Sequence, residues 1–328
     1  MKNVVLLVVT TIALSLGTQG PRASGLGTPG FHHLHLNSVD PDAAIAFYTA
    51  EFPSTRRTKF EGMPALESGK VLILFNKVST PPPIQPASAF WHFGWHVVSS
   101  HADAQLYRQR HLTLFPLYTS DAGETVTLNS DSWPGNLTRS EIAVARSKGI
   151  KPTHDGGWAY LRGPDNAIVE YQGDFPFERF NHIHMWQEDP YCAEMWYDTH
   201  LNAKESASWP RSANLRPQTS EACRVSRGEP TWPSLDRMGT VRAPAGGVTF
   251  DDVELNWYPR QGSVPLVSPR GQLMDHIALS VSDLDAWSQK LRAEGVTILK
   301  PPYALGRTRA VMIEGPSREA IEIVEVKR

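Results

Sequence analysis

Phe31 to Tyr48 reads FHHLHLNSVDPDAAIAFY. Its first half alternates between side chains of two kinds, the period of a strand with one buried face. Asp40 then stands where a helix would start. Its carboxylate can accept a backbone N–H that the first helical turn leaves unpaired. A helix-like stretch ends on the bulky pair Phe47-Tyr48. Three more segments follow the same plan: WHFGWHVVSSHADAQLY from Trp91, NHIHMWQEDPYCAEMWY from Asn181 and DHIALSVSDLDAWSQKL from Asp275. The opening histidines are His33, His92, His182 and His276, and the capping residue seven places later is Asp40, Ser99, Asp189 or Asp283.

After each helix the chain turns strand-like again, at PALESGKVLILFNK from Pro64, GGWAYLRGPDNAIVEYQGD from Gly156, GVTFDDVELNWYP from Gly247 and RAVMIEGPSREAIEIVEVK from Arg309. The second and fourth of these contain Gly-Pro turns, at Gly163-Pro164 and Gly315-Pro316. Each then ends in a strand with one carboxylate among apolar neighbours, Glu170 and Glu322. A charge in such a strand is costly unless it is paired or binds a metal, which makes the repeated histidines its candidate partners. At the same place the first unit has Leu72 to Phe75 and the third has Asn256. The unit is therefore strand, helix, then about three strands, repeated four times.

The chain of 328 residues has 41% hydrophobic and 20% charged residues and a net charge of −2. This composition is that of a globular protein, and it argues against nucleic-acid binding through a broad basic face. Lys2, the apolar run Val4 to Leu16 and the small residues after it read as a signal peptide over about 1–25. The expectation is a secreted or periplasmic protein with no membrane span after signal removal. Cys192 and Cys223, the only two cysteines, could then close a loop of 30 intervening residues. Asn136-Leu137-Thr138 is a glycosylation sequon.

The four-fold pattern, with its His-opened strand, its Asp seven residues on and its late Glu, resembles the vicinal oxygen chelate superfamily. That superfamily includes glyoxalase I, bleomycin-resistance proteins, fosfomycin-resistance enzymes and extradiol dioxygenases. The resemblance implies an α+β fold of four βαβββ modules paired into two cup-shaped mixed sheets. It divides the chain into an N-terminal domain over 26–176 and a C-terminal domain over 177–328. About 203–246, rich in Pro, Ser and Arg, looks like an inserted loop or lid.

Carried over position by position, the resemblance implies metal ligands His33, His92 and Glu170 in the first pair. In the second pair it implies His182, His276 and Glu322. Two His and one carboxylate leave coordination positions open and suit Fe(II) or Mn(II), with Zn(II) or Ni(II) as alternatives. His32, His35, His96 and His184 are alternative ligands. HDGGWAYLRGPDNAIVE further resembles the extradiol signature, which implies catalytic roles for His154 and Tyr160. Trp91, Trp95 and Trp158 are candidates to line a cup for an aromatic or apolar ligand.

Three functions are compatible with this reading. The first is an extradiol-dioxygenase-like oxidoreductase whose small-molecule substrate is chelated through vicinal oxygens. The second is a glyoxalase- or epimerase-like lyase or isomerase that needs no O2. The third is a non-enzymatic small-molecule binding protein of the bleomycin-resistance kind. Superfamily members often dimerise, which leaves a homodimer open.

Overall fold

The computed structural model describes residues 25–114, 118–121, 126–130, 133–138, 144, 147–149, 157–207, 240–242, 246–260 and 264–326. The signal-like segment, His154, Cys223 and most of the 203–246 insertion lie outside them. Cys192 is disulfide-bonded. Among the described residues, no helix is long and apolar enough to cross a membrane.

The first unit is β1 (Gly30–Ser38), α1 (Pro41–Glu51), β2 (Arg56–Phe60), β3 (Met63–Ser68) and β4 (Val71–Lys77). The second is β5 (Phe90–His96), α2 (Ser100–Gln109), β6 (Tyr118–Asp121), β7 (Val126–Ser130), β8 (Trp133–Thr138), β9 (Gly157–Arg162) and β10 (Ile168–Gly173). The third is β11 (Arg179–Gln187), α3 (Pro190–Leu201), β12 (Lys204–Glu205), β13 (Thr240–Arg242), β14 (Gly246–Phe250) and β15 (Val253–Pro259). The fourth is β16 (Met274–Val281), α4 (Leu284–Ala293), β17 (Ile298–Leu305), β18 (Thr308–Glu314) and β19 (Ala320–Glu325).

Each helix starts where its cap was expected. Asp40, Ser99 and Asp283 each accept the backbone N–H three residues on, and Asp189 accepts those of Tyr191 and Cys192. This satisfies donors that a helix N-terminus otherwise leaves open.

The strands form an eight-stranded sheet, β17-β18-β19-β16-β1-β4-β3-β2, and a seven-stranded sheet, β12-β14-β15-β11-β5-β10-β9. Strands β13, β6, β7 and β8 make a third, small sheet. The two large mixed sheets are the expected pair, but the units combine differently. The first unit shares a sheet with the fourth, through antiparallel β1–β16, and the second with the third, through antiparallel β11–β5. The halves 26–176 and 177–328 are therefore not the two cups. The first unit parts from the second, and the third from the fourth, because two linkers cross between the sheets. The Pro-rich linker 78–89 leads from β4 to β5, and 260–273 returns from β15 to β16. The linkers run side by side, with Ser88 bridged to Val267 and the Val267 N–H donating to the Ala87 carbonyl at 3.0 Å.

Alternation along the strands sorts their side chains. Leu34 and Leu36, Phe93 and Trp95, Ile183 and Met185, and Ile277 and Leu279 enter one continuous apolar core that spans both large sheets. The helices fill the space between. Phe52 stacks on Trp95 with ring centroids 4.1 Å apart, and Tyr48 stacks on it at 5.8 Å. Trp95 is thus a core residue rather than part of a cup lining. The alternate residues of the same strands, the histidines and glutamates, face away from that core, one set on each large sheet.

Candidate metal centres

Each cup holds one His–His–Glu cluster at the seam between its two units. In the β5–β11 cup, His92 opens β5, Glu170 lies on β10, and His182 and His184 lie on β11. All four are buried, and one ligand atom from each lies within 4.8 Å of the others. Glu170 Oε2 is the focus, 2.8 Å from His92 Nε2, 3.5 Å from His184 Nδ1 and 3.8 Å from His182 Nε2. Parallel pairing places Glu170 beside Gly94, and Gly94 faces His182 across β11. A Cβ at 94 would stand 2.7 Å from the Glu170 carbonyl oxygen and closer still to His182 Nε2. Glycine is therefore required there for the ring to enter the cup.

In the β1–β16 cup, His33 and His35 lie on β1, His276 on β16 and Glu322 on β19. His33 Nε2 is 3.4 Å from His276 Nε2 and 3.5 Å from Glu322 Oε2. His276 Nε2 is 3.8 Å from the same oxygen. His35 stacks on His276 with ring centroids 4.4 Å apart.

All six expected ligands are buried at a centre, but two are exchanged. Glu170 meets His92 and His182, whereas Glu322 meets His276 and His33. The expected sets paired His33 with Glu170 and His182 with Glu322; the 1–4 and 2–3 pairing of units overturns that grouping. His35 and His184, on the same strand faces as His33 and His182, complete the clusters. A shared pattern marks them: Phe31-His32-His33-Leu34-His35 against Phe180-Asn181-His182-Ile183-His184.

Both Glu residues receive a tyrosine hydroxyl. Tyr160 is cross-strand to Glu170 on β9 and hydrogen-bonds its carboxylate. In the other cup Met312 takes that cross-strand position, and Tyr303, from the next strand, donates to Glu322 Oε1. Trp91 and Trp158 are half-buried, and Trp158 shares the face of Tyr160.

The electrostatics of the two centres differ. Burial lifts the Glu170 carboxyl to about 7, against the opposing pull of His182 and Tyr160. Burial also lowers His182 to about 4 and holds His92 and His184 well below the usual imidazole value. These rings are neutral near pH 7, with lone pairs available. In the β1–β16 cup burial disfavours a charged His276, but the hydrogen bond to Asp275 and the nearby Glu322 carboxylate outweigh it and raise its pKa. Burial would also raise Glu322, yet His276 and Tyr303 hold it low. Asp275 is held to about 2: burial opposes its charge, but His276, Gly271 and Arg270 prevail.

The donor atoms fit a divalent ion. His182 Nε2 and Glu322 Oε2, both turned to the clusters, are buried with no hydrogen-bond partner among the described residues. Orphaned polar atoms of this kind are expensive, and an ion would satisfy those that point inward. Neutral imidazole and carboxylate are the protonation states metal binding requires.

The sequence model of the Glyoxalase/Bleomycin resistance protein/Dioxygenase superfamily matches residues 179–323. No curated protein matches the chain. Among solved structures, glyoxalase I from Zea mays is similar with a TM-score of 0.56 and 14% identity, covering 91% of this chain and 92% of that one. A putative dioxygenase from Bacillus subtilis is similar with a TM-score of 0.53 and 10% identity, covering 92% and 86%. At these identities the likeness is one of fold.

Proposed function

We propose that this chain, whose residues 179–323 match the glyoxalase/bleomycin resistance protein/dioxygenase superfamily, belongs to it as a metal-dependent enzyme acting on a small molecule held through two neighbouring oxygens. The pair of buried His–His–Glu clusters carries this reading. A divalent ion there, Fe(II) or Mn(II) before Zn(II) or Ni(II), would act as a Lewis acid on the bound oxygens. Extradiol-type opening of a catechol-like ring is the reaction we favour.

The β5–β11 centre suits that chemistry. His92, His182 and Glu170 would hold the ion. Tyr160 hydrogen-bonds Glu170 and can donate to a substrate oxygen as negative charge develops on it. His184, neutral and beside Glu170, offers one ring N–H donor and one acceptor to a bound oxygen. Trp91, Trp186 and Tyr258 surround this end of the cup with aromatic surface suited to a planar ring. His154 keeps its proposed acid–base role on the sequence motif alone. Oxygen uptake by the Fe(II)-loaded protein with a panel of catechols is the test. Bound iron without uptake on any of them would overturn the dioxygenase reading.

Asn256 favours a second reading, an oxygen-independent lyase or isomerase. It lies in register with His184, its amide nitrogen is 3.3 Å from His184 Nε2, and with that amide rotated its oxygen would offer a fourth donor at this centre. Turnover that persists without oxygen would select it. Export rests on the segment Lys2 to Leu16, and N-terminal sequencing of the mature chain from the extracytoplasmic fraction tests it.

A further inference from the structure

Each central strand pair is interrupted twice, at equivalent places. On β1 the register skips His32 between Phe31 and His33, and on β16 it skips Asp275 between Met274 and His276. On β11 it skips Asn181, and on β5 it skips Trp91. A bulged residue leaves the ladder and is re-aimed, so it can vary without disturbing the sheet. In the β1–β16 cup both bulged residues turn to the ligands. Asp275 Oδ1 is 2.6 Å from His276 Nδ1, and His32 Nδ1 is 2.7 Å from His33 Nδ1. In the β5–β11 cup neither places a polar atom on a ligand nitrogen. Asn181 Nδ2 donates to the Asp252 carbonyl oxygen at 3.1 Å, and Trp91 packs its ring edge to face with His92. His92 Nδ1 is left buried with no hydrogen-bond partner among the described residues.

We propose that the two centres have unequal metal affinity, the β1–β16 centre being the tighter, and that the bulged residues Asp275 and His32 make it so by orienting His276 and His33. The proposal rests on the reading that both clusters hold a divalent ion. Asp275 is itself held: it accepts from the Gly271 N–H at 2.6 Å, from Asn37 Nδ2 at 3.4 Å and from Arg270. Its acceptance of the Nδ1 proton fixes Nε2 as the nitrogen turned to Glu322, the one an ion would take in place of a proton. Arg270 also approaches His276 Nδ1, at 2.9 Å, because both donors sit on one carboxylate.

The inward atoms are already spaced. The His33 Nε2, His276 Nε2 and Glu322 Oε2 triangle has sides of 3.4, 3.5 and 3.8 Å. Tetrahedral ligands about 2.1 Å from an ion stand roughly 3.4 Å apart. Glu322 Oε2 makes no hydrogen bond within the described protein. At the other centre His92 Nε2 lies directly on Glu170 Oε2 at 2.8 Å, a contact that an ion must break. Outer partners that fix a ligating imidazole are typically worth ~10–100-fold in metal affinity.

The test loads the full mature chain with two equivalents of Zn(II) and titrates it with a competing chelator, with metal content as the readout. The expected release is biphasic. Glu170→Ala should keep only the tight phase, and Glu322→Ala only the loose one. Asp275→Ala and, separately, His32→Gln should weaken the tight phase ~10–100-fold and leave the loose phase unchanged. Ring nitrogen NMR of the metal-free protein should show His276 protonated at Nδ1 and lose that preference in Asp275→Ala, which mere loss of packing would not reproduce. Release of both ions together, or a tight phase surviving in Glu322→Ala, would overturn the inference while leaving the metal reading intact. Failure to bind any ion would overturn both.

Discussion

In the β5–β11 cup, Trp91 stacks on Trp186 with ring centroids 4.5 Å apart, and Tyr258 meets Trp91 edge-on at 5.0 Å. The same three register positions of the β1–β16 cup hold Asp275, Asn37 and Asn76. There Asn76 donates to Asn37 at 2.9 Å, and Asn37 donates to Asp275 at 3.4 Å. One donor set has thus been placed in an aromatic setting and in a hydrogen-bonded, charged one. The sheet tolerates both because these side chains face the cup and leave the apolar core alone. The aromatic cup strips its ligands of water and keeps them neutral. The polar cup supplies each inward nitrogen with a partner behind it. We read the first as the place of chemistry and the second as the firmer hold on an ion.

The largest expected effect breaks the comparison outright. Glu170→Ala should remove one equivalent of metal and lower kcat/KM on the order of 10³-fold, the scale of losing several kcal/mol of Lewis-acid stabilisation. Glu322→Ala should remove the other equivalent and leave most of the activity. Metal analysis and steady-state kinetics on both variants check this, and equal loss of activity would refute the division of roles.

The pH dependence of stability comes next. Burial raises the Glu170 carboxyl from 4.5 to about 7. The folded protein then holds this proton more tightly than the unfolded chain, so the group's contribution falls as pH rises between those values. In chelator, Glu170→Gln should match wild type near pH 4 and exceed it by on the order of 3 kcal/mol above pH 7. Denaturant unfolding across that range measures the difference. Glu322→Gln should give no such gain, since Glu322 is held low rather than raised.

Tyr160→Phe should cost about 10²-fold in kcat with metal content unchanged, as for loss of one aimed donor. Tyr303→Phe should leave kcat within about threefold, a change too small to represent a lost transition-state contact. Last, Gly94→Ala should destabilise the fold by about 1–3 kcal/mol through overpacking and loosen the ion at that centre alone. The matching position of the other cup, Ala278, already carries a Cβ. A thermal melt with metal analysis separates the two outcomes.

Much of this was legible in the residues. The four helix caps, the strand faces of the histidines and the isolated Glu170 and Glu322 all follow from local rules of hydrogen bonding and alternation. Tyr160 beside Glu170 followed from a motif. The support behind the ligands was less visible. Asp275 and His32 act because each sits at a bulge, and a bulge depends on how two strands pair rather than on either strand alone. Trp95 was misjudged for a related reason: both faces of β5 are buried, and its composition does not say which face meets α1.

By itself the sequence pointed to the strand–helix–strands unit, its recurrence and six residues that the fold gathers into two buried clusters. These depend on contacts within about one unit, where spacing and chemistry suffice. It also marked two kinds of unit, one opening Phe-x-His-x-His and one ending in a lone Glu strand. A complete centre needs one of each kind. Pairing by chain order meets that requirement, and so does the observed pairing of first with fourth and second with third. Only the tertiary structure decided between them, when the linkers 78–89 and 260–273 crossed between sheets and both sheets closed over one shared core. That choice lies in the summed burial of strands far apart in the chain, and it is what put His33 with Glu322 and His182 with Glu170.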